Sequence, residues 1–239
     1  GVVARSVLVE QQRQARALID RHAPDRLVVL GGDCLVDLAP FAYLNEHYEG
    51  DLAVLWVDTH PDISTAAQIP HGHAMVLANL LGESDEALAG EVKKPIKAQN
   101  VLFAGVHDPS DWEAGEIKRL GLNTVGPAEL AREGSKPVID WFRSTGAKHL
   151  AIHFDLDVLD VAGFRAQLTG NPKGLEPFLD GVARGELTIQ QVVSLLADVS
   201  QVADVVGLGI TEHLPWDAIN LRDMLACLPL LGTPPAGTN

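Results

Sequence analysis

The chain has 239 residues, 46% hydrophobic and 21% charged, which is ordinary for a soluble globular protein and long enough for one large α/β core. A formal net charge of −14 argues against a nucleic-acid partner, which would need clustered Lys and Arg, and no apolar run is long enough to cross a membrane. Only Cys34 and Cys227 could pair, too few for a disulfide framework, so a reducing cytoplasm is the expected compartment. No signal peptide is recognisable, yet the chain opens at Gly1 and enters a helical pattern at once, and we expect a preceding segment to be missing.

In chain order, Ala4 to His22 has helical spacing, with Val7, Leu8, Ala15 and Leu18 on one stripe. Leu27 to Leu30 is a short apolar run closed by Gly31 and Gly32. The same design recurs at Ala53 to Val57, Val101 to Ala104, Leu150 to Phe154 and Val205 to Ile210. Between these runs lie helical candidates at Pro40 to Tyr48, Ala74 to Leu81, Asp111 to Leu120, Ala128 to Phe142, Thr188 to Ser200 and Asp217 to Leu228. Apolar strands separated by helices predict an α/β fold with a central parallel sheet, buried on both faces. Val161 to Glu186 reads as a long irregular loop and Gly232 to Asn239 as a loose tail. No linker divides the chain, so residues 1–239 are read as a single domain.

Ligands of parallel α/β sheets bind beyond the carboxyl ends of the strands. Those ends carry a consistent chemistry here: Asp33 and Cys34, then Asp58, His60 and Asp62, then Asp155, Asp157 and Asp160, then Thr211, Glu212 and His213. Residues two apart on extended chain point the same way, so Asp58, His60 and Asp62 can face one point, with Asp155 and Asp157 beside them. Packed carboxylates repel one another, and a divalent cation removes that conflict. Oxygen donors with some imidazole suit Mn²⁺, with Fe²⁺ or Zn²⁺ as competitors. One Asp-x-His or Asp-x-Asp alone is more often a cap or a solvated loop. Two such motifs, each directly after a buried run, favour a metal site. Asp160 is read as structural, Asp33 as serving its turn, and His73 and His107 as loop residues.

These motifs, Gly31-Gly32-Asp33-Cys34, Asp58-Thr59-His60-Pro61-Asp62, His153-Phe154-Asp155-Leu156-Asp157-Val158-Leu159-Asp160 and Thr211-Glu212, resemble in order and spacing those of the ureohydrolases, the family of arginase, agmatinase and formimidoylglutamase. The resemblance runs from about Leu27 to Pro215. It implies a three-layer arginase-like fold and a two-Mn²⁺ centre, bridged by Asp58 and Asp155. Asp62 would complete one metal position, and His60 with Asp157 the other. A metal-bound hydroxide would attack the carbon of a small guanidino substrate, with Glu212 pairing the guanidinium group and His71 shuttling a proton. Family members commonly assemble, which leaves a homo-oligomer open.

The sequence departs from the family pattern at several places. Cys34 stands where the family has a histidine metal ligand; as a thiolate it would weaken Mn²⁺ binding or favour Zn²⁺, and as a small buried residue it would leave the metal a ligand short. His153 replaces the usual Ser, Val161 the usual Pro, and the segment between Asp62 and His71 is shorter than in typical arginases. The cysteine is similar to that of a branch that hydrolyses Nω-hydroxy-L-arginine to hydroxyurea and ornithine in the biosynthesis of the antibiotic D-cycloserine. Nω-Hydroxy-L-arginine and L-arginine are thus the expected substrates. A zinc-dependent deacetylase-like amidohydrolase, and an inactive family member that binds a metabolite or partner, stay open beside them.

Overall fold

A computed structural model describes residues 1–174 and 181–232; residues 175–180 of the expected irregular loop and 233–239 of the expected tail lie outside them. Helix α1 (Arg5–His22) leads into β1 (Leu27–Leu30), α2 (Leu38–His47) and β2 (Leu52–Val57). After a long connection come α3 (Val76–Leu80), α4 (Glu86–Ala89), β3 (Val101–Ala104), α5 (Asp111–Leu120) and β4 (Asn123–Val125). Then follow α6 (Pro127–Glu133), α7 (Lys136–Thr145), β5 (His149–Asp155), α8 (Ile189–Ser200), β6 (Asp204–Thr211) and α9 (Ala218–Leu225). The six strands form one sheet in the order β1-β6-β5-β2-β3-β4, every neighbouring pair parallel.

Strand pleating sends alternate side chains to opposite faces, and each face has its own core. Val54, Trp56, Phe103 and Ala151 pack with α1 to α4 on one side, whereas Leu55, Val57, Ile152, Phe154 and Ile210 pack with α6 to α9 on the other. The result is the expected three-layer arrangement. Burial is complete along β2 and β3 but alternates along β1, where Val28 and Leu30 are exposed. The expectation of burial on both faces therefore fails at this strand, because it lies at the sheet edge.

The predicted helix from Ala128 to Phe142 is two helices. Gly134 adopts φ 60° after α6, and Pro137 in the first turn of α7 has no N–H with which to continue a preceding helix. Strand β4 and the one-turn α4 were not anticipated; three residues, of which only Val125 is buried, and four residues, respectively, are too short to show periodicity. Two helices start at reciprocal capping boxes, α5 at Ser110 with Glu113 and α8 at Thr188 with Gln191.

Candidate metal centre

Parallel pairing puts the carboxyl ends of all six strands on one edge, and the turns leaving β1, β2, β5 and β6 meet there. Asp58 leaves β2, Asp155 ends β5 and Thr211 ends β6, so the acids arrive from neighbouring strands at the same height. Gly105, which follows β3, has φ 111°, and a Cβ there would lie 3.0 Å from the Asp58 carbonyl oxygen; only glycine lets this turn pass so close.

The turn hydrogen bonds lock each acid. Asp58 Oδ1 accepts from the His60 backbone N–H at 2.7 Å, and its Oδ2 accepts from Trp56 Nε1 at 3.1 Å. Asp155 repeats the design: Oδ1 accepts from the Asp157 N–H at 2.7 Å, and Oδ2 accepts from the Cys34 thiol at 3.1 Å. His60 Nδ1 lies 3.1 Å from Asp157 Oδ2 and 3.7 Å from Asp58 Oδ1. Asp62 and Glu212 both occupy the left-handed region, at φ 48° and 61°. Side chains other than glycine adopt it only where surroundings enforce it, commonly at functional sites. The enforcing contacts are present: the Asp62 carbonyl accepts from the N–H groups of Leu77 and Ala78, and the Glu212 N–H donates to the Gly32 carbonyl.

Three groups of donors come together, each with its ligand atoms within 4.8 Å of one another. They are Cys34, Asp58, Asp62 and His153; Cys34, Asp155 and Glu212; and Asp58, His60 and Asp157. Asp58 belongs to two of them, as a bridging carboxylate would. All six residues expected as metal ligands thus converge. Glu212 joins them, while His71 sits apart on the exposed rim, its ring 6.0 Å from that of His73.

The electrostatics of the site demand cations. Asp58, Asp62 and Asp155 are almost fully buried, and no Lys or Arg among the described residues forms an ion pair with them. Burial, reinforced by neighbouring acids, raises the carboxyl pKa of all three. Burial and then Asp157, Asp33 and Asp58 push Glu212 up to about 7. Burial opposes charge on His60, but Asp157, and after it Asp58 and Asp62, outweigh it and push the imidazole up to about 11. Asp157, although buried, is held low by that same histidine. Cys34 is raised well above the usual thiol range by burial and then by Asp62, Asp155 and Asp58. Buried Asp62 Oδ2, Asp157 Oδ1 and His153 Nε2 have no hydrogen-bond partner. Unpaired buried groups of this kind are costly, and divalent ions bound among them would satisfy them, so the residues fit a metal centre.

A cavity of about 550 Å³ opens over the cluster, lined by Cys34, His60, Asp62, Asp155, Asp157 and Glu212 together with His71, His73 and Arg184. Arg184 is the only Lys or Arg among the described lining residues. The sequence reading missed it, since a single Arg in an irregular stretch carries no pattern. His73 was read as a loop residue but forms part of the wall, where burial lowers its pKa. Asp33 and Asp160 serve turns, accepting from the N–H groups of Leu35 and Ala162.

Fold and site together define a three-layer parallel α/β protein with an acid-lined cavity at its strand ends. The chain belongs to the arginase family, whose profile matches residues 2–219. Arginase of Brevibacillus brevis is 33% identical over 153 residues, which are 60% of this chain and 51% of that protein. The chain spans about half the length of such curated relatives. The crystal structure of Entamoeba histolytica arginase in complex with L-ornithine superposes with a TM-score of 0.74 at 21% identity, covering 93% of this chain and 74% of that one. Formimidoylglutamase from Bacillus subtilis superposes at 0.65 and 20% identity, over 85% and 61% of the two chains. At these identities the superpositions establish the shared fold.

Proposed function

We propose that the chain is a metal-dependent amidinohydrolase that cleaves a guanidino C–N bond, with Nω-hydroxy-L-arginine or L-arginine as substrate and ornithine with hydroxyurea or urea as products. The observation that carries this reading is the placement of Glu212 beside a cation-demanding cluster, inside one cavity. Asp58 and Asp155 would be shared between two Mn²⁺ ions, with Cys34 and Asp62 completing one position and His60 and Asp157 the other. Such ions supply a water that is acidic enough to act as nucleophile at neutral pH. Glu212 pairs with the planar guanidinium group and holds its carbon towards the cluster. The nitrogen that leaves needs a proton, and His71 on the exposed rim donates one and regains it from solvent. Arg184 faces the same cavity and suits the carboxylate end of an amino-acid substrate.

The direct test is product release from a panel of guanidino compounds by Mn²⁺-loaded protein, run beside Cys34→His. Urea or hydroxyurea release is expected, with the preference between arginine and its hydroxylated form altered by the substitution. A loaded protein that leaves the whole panel untouched refutes the proposal. One tightly held zinc per chain with deacetylation activity would favour a deacetylase-like reading instead, towards which the softness of Cys34 points. Glu212→Gln removes a charge-assisted contact worth about 1.5–3 kcal/mol. Its kcat/KM for guanidino substrates should fall roughly 10- to 100-fold, and steady-state kinetics showing no loss would remove Glu212 from substrate binding.

A further inference from the structure

One buried imidazole, that of His153, has no part in the proposed reaction. His153 lies on β5 two residues before Asp155, on the same face of the sheet and one pleat deeper, fully buried. Its Nδ1 is 2.8 Å from Asp37 Oδ2, also fully buried, in the turn that follows β1. With Nδ1–H donated to that carboxylate, Nε2 is the nitrogen left to give up its proton to a metal, and it has no hydrogen-bond partner. The nearest acceptor, Asp58 Oδ2, is 3.6 Å away and already takes a hydrogen bond from Trp56.

The surroundings form a seat for this ring. Trp56 stacks on it at 3.7 Å between centroids and 12° between planes. On the opposite neighbouring strand, Gly209 pairs with His153, and a Cβ there would lie within 2.2 Å of both Asp37 carboxylate oxygens. Glycine on β6 thus makes room for Asp37, Asp37 fixes the ring nitrogen that carries hydrogen, and Trp56 fixes the ring plane. The free Nε2 then falls among the donor atoms of Cys34, Asp58 and Asp62, all within 4.8 Å.

We propose that His153 is a metal ligand, closing a four-donor position with Cys34, Asp58 and Asp62, and that Asp37 is its positioning residue. The inference rests on the metal-centre reading and deepens it. A carboxylate holding the far nitrogen of a ligating histidine is the usual means of aiming the ring and raising its basicity. One sulfur, one nitrogen and two oxygen donors suit a borderline-soft ion such as Zn²⁺ better than Mn²⁺, whereas Asp58, His60 and Asp157 form an oxygen-rich position. The two positions should therefore differ in the metal they select.

The test uses metal-stripped chain given one equivalent of Zn²⁺, read by zinc-edge X-ray absorption. Sulfur at about 2.3 Å and imidazole nitrogen at about 2.0–2.1 Å on the same ion are expected. His60 lies in the other donor group, so imidazole beside sulfur identifies His153. Zinc bound with sulfur but no imidazole, or with imidazole but no sulfur, overturns the inference and leaves the metal centre standing. Failure to bind either Zn²⁺ or Mn²⁺ overturns both. In variants, zinc affinity by competition with a chelator should fall roughly 10- to 100-fold for Asp37→Asn, the cost usual for a lost outer carboxylate. His153→Gln should lose more, while its Co²⁺ derivative keeps the thiolate charge-transfer band and changes its ligand-field bands. Unchanged affinity and spectrum in a folded His153→Gln protein would show that the ring only packs.

Discussion

Asp155→Asn is expected to abolish amidine hydrolysis, with kcat falling by about a thousandfold or more, the equivalent of several kcal/mol of lost metal assistance. Asp155 Oδ1 holds the Asp157 N–H and its Oδ2 faces the Cys34 thiol, so one substitution disturbs donors of both metal positions. Asp58→Ala should act similarly, because Asp58 belongs to the donor groups on both sides. Metal content by mass spectrometry separates the two contributions. A variant that keeps both metals and most of its turnover would show that neither acid bridges anything. Circular dichroism serves as the folding control, and it should change little, since the strand itself is held by β2 and β6 on either side.

The metal-free protein should become less stable as pH rises from about 5 to 8, and Mn²⁺ should reverse that trend. Asp58, Asp62 and Asp155 have folded pKa values raised above the unfolded ones, chiefly by burial. Their contribution to stability is complete below about pH 4 and is lost as pH climbs through the raised values. The contribution of Glu212 is lost through about pH 7. His60 and His153 are raised to about 11 and about 10 by the acids around them, despite burial. Their contribution is complete below about pH 6.5 and also declines upward. Asp157, held low, works the other way, but only in acid below this window. His73, lowered by burial, opposes this trend within the window, but it is one group against four raised carboxyls and two raised imidazoles, so the net slope between pH 5 and 8 is downward. Mn²⁺ needs the deprotonated ligands, so its stabilisation grows with pH. At a hundred times Kd one site adds about 2.7 kcal/mol, roughly 5–10 °C in Tm for a chain of this size. Calorimetry with and without metal at pH 5 and 8 checks both signs. A metal-free Tm that rises with pH, or a Mn²⁺ shift that is larger at pH 5, would contradict the account.

Strand order could not be read from the sequence, because pairing between strands far apart in the chain leaves no local pattern. The five apolar runs were legible as strands, and their exits as a common chemical edge, because parallel strands must place their carboxyl ends together. Asp58, His60, Asp62, Asp155 and Asp157 were found by this rule and by the two-residue period of extended chain. Arg184 and His73 followed neither rule, since a cavity wall collects residues from loops without periodicity.

His153 shows most plainly where the division falls. By itself the sequence determined that an imidazole sits two positions before Asp155 in a buried strand, and that Cys34 follows Gly31-Gly32-Asp33 at the end of another apolar run. What that imidazole faces depends on Asp37 from the β1 turn, Trp56 from β2 and Gly209 from β6, three residues brought beside it only by the pairing of the strands. A local pattern specifies which way a side chain points. The atom it meets is set by packing between distant segments, and that is where the tertiary structure decided the character of this site.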